Sequence, residues 1–243
     1  VTMRSATELL ATWESGLAAG AVHRAVLLHA LVRGGTTGEL LDVPVGRRDR
    51  DLFALRRALF GERLTGRVTC PHCETEQEFD FDVTAVLRGG EDGGSGEVAV
   101  DVRGWSVRLR LPTSADLLAV ASAGPEGAKR ALLARCVVSA RRRGVDVPGD
   151  RLPPEVLAGV ARSAADADPA SDVCLTMPCV ECGRPTRAVV DIPSFLWAEL
   201  DAWARRTLLD VHLLASSYGW SEPDVLALSP TRRRHYLELV GHG

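Results

Sequence analysis

No part of this 243-residue chain carries the ~20 consecutive apolar residues that a membrane-spanning helix needs. An excess of either charge is also missing. Its 29 Lys and Arg stand against 32 Asp and Glu, a formal net charge of −3. No global field therefore draws the chain onto nucleic acid or an anionic surface. The usual catalytic signatures are absent. The Gly-rich stretch at 89–96 has no Lys-Ser/Thr and helix after it, as a phosphate loop requires. Neither a G-x-S-x-G elbow nor H-E-x-x-H occurs. His23, His29, His72, His212, His235 and His242 fall in no triad-like arrangement and read as surface or helix-face residues. Six cysteines are too few to scaffold so long a chain with disulfides. Val1-Thr2-Met3-Arg4 leads into a helix-like segment and not into a signal-peptide pattern, so a cytoplasmic location is expected.

What remains is ordinary globular composition, 46% hydrophobic and 25% charged, enough for one large domain or two small ones. Arginines cluster at Arg47, Arg48 and Arg50, at Arg141 to Arg143, and at Arg232 to Arg234. Acidic neighbours make these solvated helix ends and faces rather than a phosphate-binding patch.

Periodicity divides the chain. Residues 5–33 read as two helices, with Ser5 and Glu8 at capping-box spacing, Gly20 between them and Gly34-Gly35 as the stop. A turn-rich stretch follows, then an amphipathic helix over 47–60. Residues 64–84 form a hairpin bent around Cys70-Pro71-His72-Cys73, and Phe79, Phe81 and Val83 alternate with charges as in a half-buried strand. Residues 89–96 are a flexible loop. The valines and leucines of 98–111 alternate around Arg103-Gly104 as a second hairpin. Helices are expected at 115–122 with Ser114 as N-cap, at 125–142, and from Pro153-Pro154 to about 167. A third hairpin spans 172–192 around Cys179-Val180-Glu181-Cys182-Gly183. A long helix then runs to about 217, followed by short helices near 221–228 and 230–240. The regions are N-terminal helices (1–63), the first knuckle hairpin with the second hairpin (64–112), a helical insert (113–170), the second knuckle hairpin (171–192) and C-terminal helices (193–243). The expected fold class is α+β. It is mainly helical, with a split four-cysteine zinc-ribbon-like β region formed by two knuckle hairpins plus a further hairpin.

An internal echo supports this division. Cys70, Cys73, Asp82, Val83 and Leu87 recur as Cys179, Cys182, Asp191, Ile192 and Leu196, all at an offset of 109 positions. Zinc prefers four tetrahedral ligands and is well suited by thiolates, and each C-x-x-C turn places two sulfurs on one side of a bend. Cys70, Cys73, Cys179 and Cys182 are thus expected to hold one structural zinc ion, tying the middle of the chain to its last third. Other readings stand beside it: a thiol oxidoreductase using Cys-Pro-His-Cys, His72 as a ligand, a pair of disulfides, or a site that binds nothing. The oxidoreductase reading needs the motif at a helix N-terminus, whereas strand-like, acidic residues follow it here. Cys136 reads as a core residue and Cys174 as packed in a strand.

The C-terminal block has two readings. Tyr218-Gly219-Trp220 is a glycine helix stop between aromatics, with Ser221 and Ser229 as N-caps of the helices that follow. It is either a helical core with Trp220 buried, or a docking tail whose partner contacts are Tyr218, Trp220, Arg232, Arg233 and Tyr236.

That ending, YGWSEPDVLALSPTRRRHYLELV (218–240), resembles the baseplate hub-assembly proteins of contractile-tailed phages and phage-like contractile injection systems. So do VPVGRRDRDLFALRRALFGERLTGRVTCPHCETEQEFDFDV (43–83) and LRLPTSADLLAV (109–120), the three together covering about a third of the chain. The resemblance implies a non-catalytic factor that helps build or fill a baseplate or spike hub by binding other tail proteins. On charge and apolar run length, neither a nucleic-acid partner nor a membrane span is expected. A zinc-ribbon nucleic-acid-binding or transcription accessory protein is the alternative, motivated by Arg67, Arg184 and Arg187 and opposed by the acidic run Glu74 to Asp82.

Overall fold

A computed structural model describes residues 4–88 and 97–241. The loop expected at 89–96 and His242 lie outside the described residues. The protein is α+β, with helices predominating over small antiparallel sheets.

Helix α1 (Ala6–Gly16) opens on the expected capping box: Glu8 N–H donates to Ser5 Oγ at 3.1 Å and the Ser5 N–H returns to the Glu8 carboxylate at 2.9 Å. Helix α2 (Ala21–Arg33) packs against it. A short helix α3 (Thr37–Leu41) falls in the stretch expected to be turns, nucleated by a second capping box between Thr36 and Glu39. Helix α4 (Val45–Phe60) begins two residues earlier than periodicity suggested, behind Pro44.

The first knuckle hairpin is β1 (Arg63–Thr69) with β2 (Glu76–Asp82), paired from Arg63↔Asp82 to Thr69↔Glu76. On β2, Gln77, Phe79 and Phe81 face in while Glu76, Glu78, Asp80 and Asp82 face water. Gly66 stands opposite Phe79, and a Cβ there would lie 2.5 Å from the Phe79 ring, so the aromatic needs that missing side chain. A single-turn helix α5 (Thr84–Leu87) follows.

The insert departs from expectation. Strands β3 (Val98–Val102) and β4 (Trp105–Leu109) form the anticipated hairpin. Helix α6 (Ser114–Val120) starts one residue early, with Thr113 and not Ser114 as N-cap. Helix α7 (Pro125–Cys136) stops at Cys136, and the continuation expected to be helical to 142 is strand β5 (Val137–Arg142), turning at Arg143-Gly144 into β6 (Val145–Asp146). The reading of 113–170 as a helical insert is therefore corrected: the 97–111 hairpin is half of a four-stranded sheet ordered β3-β4-β5-β6. β-Branched Val137 and Val138 favour extended backbone, and pairing with β4 at Val107↔Ala140 decides it. Both hairpins in this sheet turn on Arg-Gly, at 103–104 and 143–144, with positive φ at all four residues, the signature of a two-residue primed turn. Helix α8 (Pro154–Ala167) lays Val156 and Val160 on the sheet, closing a core with Val100, Trp105, Val107, Leu109 and Ala140.

The second knuckle hairpin is β7 (Cys174–Pro178) with β8 (Pro185–Val189). It leads into α9 (Ile192–Tyr218), whose 27 residues span about 40 Å. Leu196 and Leu200 of α9, Leu52 and Phe53 of α4, Leu28 of α2, and Leu64, Phe79 and Phe81 of the first hairpin form the main core. Gly219, at φ 68°, ends α9; α10 (Glu222–Ala227) and α11 (Pro230–Val240) fold back around Val211, Leu214 and Val225.

The insert is fastened to the main core through the start of α4. Pro44 bridges Thr113, the Val45 N–H donates to Pro112 O at 2.8 Å, and Arg48 Nη1 reaches Ser114 Oγ at 2.9 Å. The Gly46 N–H donates to the buried Asp168 carboxylate at 2.9 Å. A carboxylate at a helix N-terminus is favoured by the unpaired amides and the macrodipole, and a Cβ on Gly46 would sit 1.7 Å from Asp168 Oδ1, the other oxygen of that carboxylate.

Candidate metal centre

The two knuckles are built alike, bond for bond. Cys70 N–H donates to Thr75 O at 2.9 Å, and Cys179 N–H donates to Arg184 O at 2.8 Å. Glu74 N–H returns to Cys70 O at 3.0 Å, and Gly183 N–H returns to Cys179 O at 2.9 Å. Both turns need a left-handed residue at the same place, supplied by Glu74 at φ 60° and Gly183 at φ 69°. The 109-residue offset of the sequence is thus a repeat of backbone geometry, including the strand-end pairs Thr69↔Glu76 and Pro178↔Pro185.

Packing of β1 against β8 brings the knuckles face to face. The sulfurs of Cys70, Cys73, Cys179 and Cys182 all lie within 4.8 Å of one another. Cys70 Sγ is 3.7 Å from Cys182 Sγ, and Cys73 Sγ is 3.5 Å from Cys179 Sγ. These separations are far from the ~2.05 Å of a disulfide. They approach the ~3.8 Å edge of a sulfur tetrahedron around an ion held at 2.3 Å. All four of the expected ligands are therefore gathered into a set able to hold one metal ion.

Local donors favour the thiolate form that a ligand must adopt. Cys70 is brought down to about 5, chiefly by the His72 backbone N–H and then by the Thr186 hydroxyl. That hydroxyl is fully buried, has no conventional hydrogen-bond partner among the described residues, and works on the Cys70 sulfur. Cys73 is lowered by the hydroxyl and backbone of Thr75, whose Oγ1 lies 3.5 Å from its sulfur. Cys182 moves the other way, to about 11. The Arg184 amide favours its thiolate, but desolvation and the three neighbouring sulfurs outweigh it. Without a counter-charge, four sulfurs this close cannot all ionise, and a divalent cation would supply that charge.

One contact escaped the sequence. Buried Gln77 accepts from the Val180 N–H at 3.0 Å through Oε1, locking β2 of the first hairpin to the turn of the second. Its partner lies 103 positions away, so no local pattern marks it.

The remaining candidates fall elsewhere. His72 is exposed on its turn, with Nδ1 3.4 Å from Arg184 Nη1. Cys-Pro-His-Cys lies between two strands, not at a helix N-terminus. Cys136 is buried, its thiol pushed up to about 11 by burial. Cys174 receives Arg187 Nε at 2.6 Å. Of the arginines behind the nucleic-acid alternative, Arg67 pairs with Glu76 and Glu78 and Arg187 with Asp172. In the C-terminal block Tyr218 and Trp220 stack at 4.8 Å between centroids, and Tyr236 meets Trp220 edge-on at 4.8 Å. Arg232 is exposed one turn from Tyr236, whereas Arg233 is turned inward, 3.9 Å from Asp210. Trp220 is half-buried.

Among the described residues, no helix is long and apolar enough to cross a membrane. No family model, curated protein or solved structure matches the chain.

Proposed function

We propose that this chain is a non-catalytic assembly or structural component of the baseplate or spike hub of a phage-tail-like contractile injection system, stapled by one structural zinc ion and acting by binding other tail proteins. The convergence of Cys70, Cys73, Cys179 and Cys182 on one point carries the structural half of this reading. Zinc fits an all-thiolate tetrahedron, and four protein ligands leave no coordination position for water or substrate. The ion would act as a clamp between hairpins.

The assignment to a contractile machine rests on the sequence resemblance of residues 43–83, 109–120 and 218–240. The spatial meeting of the first two stretches at Pro44 and Thr113 supports treating them as one unit. The aromatic ensemble of exposed Tyr218 and half-buried Trp220 and Tyr236, with Arg232 beside it, is of the composition that dominates binding energy at protein interfaces.

Two measurements test the two halves. Elemental analysis of protein purified without added metal should return one zinc per chain, and a metal-free product rejects the clamp. Affinity purification from cells expressing the whole particle should recover baseplate or spike proteins with the wild type and less with Trp220→Ala plus Tyr236→Ala. Recovery of no tail protein with the folded wild type rejects the assembly role.

A further inference from the structure

The four sulfurs differ in access. Cys70 and Cys179 are buried at 0% and 3% exposure, Cys73 is half-buried, and Cys182 is exposed. An oxidant arriving from solvent therefore meets Cys182 first. The sulfur placed at 3.7 Å from it belongs to Cys70, on the other hairpin, and the second close contact, Cys73 with Cys179, also crosses between hairpins.

We propose that Cys182 is an oxidation site of the clamp, reacting with hydroperoxides, and that Cys70 resolves it to a cross-hairpin disulfide. The inference rests on the zinc reading above and names how that site responds to oxidant. In the first step the Cys182 sulfur attacks the peroxide. An S–O bond forms, the O–O bond breaks, and the departing hydroxide takes a proton to become water. Cys182 is then a sulfenic acid. In the second step the Cys70 thiolate attacks the Cys182 sulfur. An S–S bond forms, the S–O bond breaks, and a second hydroxide leaves as water. Two thiolates lose two electrons in all, and one hydroperoxide gains them. Two of four ligands are consumed, so the metal is released. A second equivalent converts Cys73 and Cys179 in the same manner.

The consequence lies in the connectivity. Bonds within each C-x-x-C would leave no link through sulfur between the hairpins once the metal left. Bonds between Cys70 and Cys182 and between Cys73 and Cys179 replace the ionic clamp by a covalent one. The protein would thus shed its ion under oxidative stress and keep its architecture.

Zinc-loaded, fully reduced protein is treated with one equivalent of hydrogen peroxide, and the released zinc is read with a chromophoric chelator. Tryptic digestion without reduction follows. Peptide 68–88 carries Cys70 and Cys73, and peptide 163–187 carries Cys174, Cys179 and Cys182. The expected result is zinc release, loss of two thiols, and the two peptides joined, with fragmentation placing the bond at Cys70–Cys182. An internal bond in peptide 68–88, a link through Cys174, or zinc retained with all thiols intact overturns the inference and leaves the zinc clamp standing. Reduced protein that holds no zinc overturns the clamp instead, and the peptide map of that metal-free protein still decides the pairing.

Discussion

Stripping the metal should cost this fold a large fraction of its stability. Each ligand in the first knuckle has its repeat partner 109 positions later, so the clamp closes a loop of about that length. Chain-entropy arithmetic for a cross-link of this span gives about 5 kcal/mol. Native domains carry only about 5–15 kcal/mol in total. For a chain of this size the unfolding entropy is on the order of 0.5 kcal/mol/K, so the loss corresponds to a fall in Tm of about 10 °C. The assay is a thermal melt followed by circular dichroism, on zinc-loaded protein, on protein dialysed against a chelator, and on the latter with zinc restored. Cys136→Ser, outside the cluster, controls for the loss of a thiol. If loaded and stripped proteins melt within about 2 °C of each other, the ion is not acting as a long-range staple and the reasoning fails.

Three further outcomes follow from geometry already described. Gly46→Ala should cost about 2–4 kcal/mol in urea unfolding, because its Cβ would displace the buried Asp168 carboxylate, while Asp168→Asn, which keeps the space, should cost less. Burial pushes Asp49 up to about 6, against the pull of Arg48, so the folded state holds this proton more tightly than the unfolded chain. Its contribution to stability is therefore whole below about pH 4 and is lost as pH rises through about 6, and Asp49→Asn should flatten that part of the profile by up to about 3 kcal/mol. At the paired turn positions, Gly183→Ala should lose about 1 kcal/mol and Glu74→Gly should hold or gain stability by up to that amount, read from chemical denaturation midpoints.

The clustering of the four candidate ligand cysteines was legible because C-x-x-C spacing is local and its repetition at one offset marks a duplicated turn. Strand β2 was legible for the same kind of reason: Phe79 and Phe81 between acidic residues leave one choice of face. The error at 137–142 has the opposite character. Leu132, Leu133 and Cys136 continue a helix-like run into Val137, and only a partner strand some thirty positions upstream overrides it. Helix α3 went unseen although its Thr36–Glu39 box was present, because five residues give too little periodicity to recognise. Gln77 with Val180 and Gly46 with Asp168 span more than a hundred positions each, and such pairings exist only once the chain has folded.

The closed excursion between the knuckles also bears on how the molecule carries load. With an ion held by the four sulfurs, segment 74–178 would be bridged at the knuckles, and a pull along the chain would pass through the sulfurs and the metal. It runs through the first hairpin and α9 and goes around the four-stranded sheet. The sheet and its covering helix are in this sense mechanically sheltered cargo, free to keep their shape while the rest of the chain is under tension.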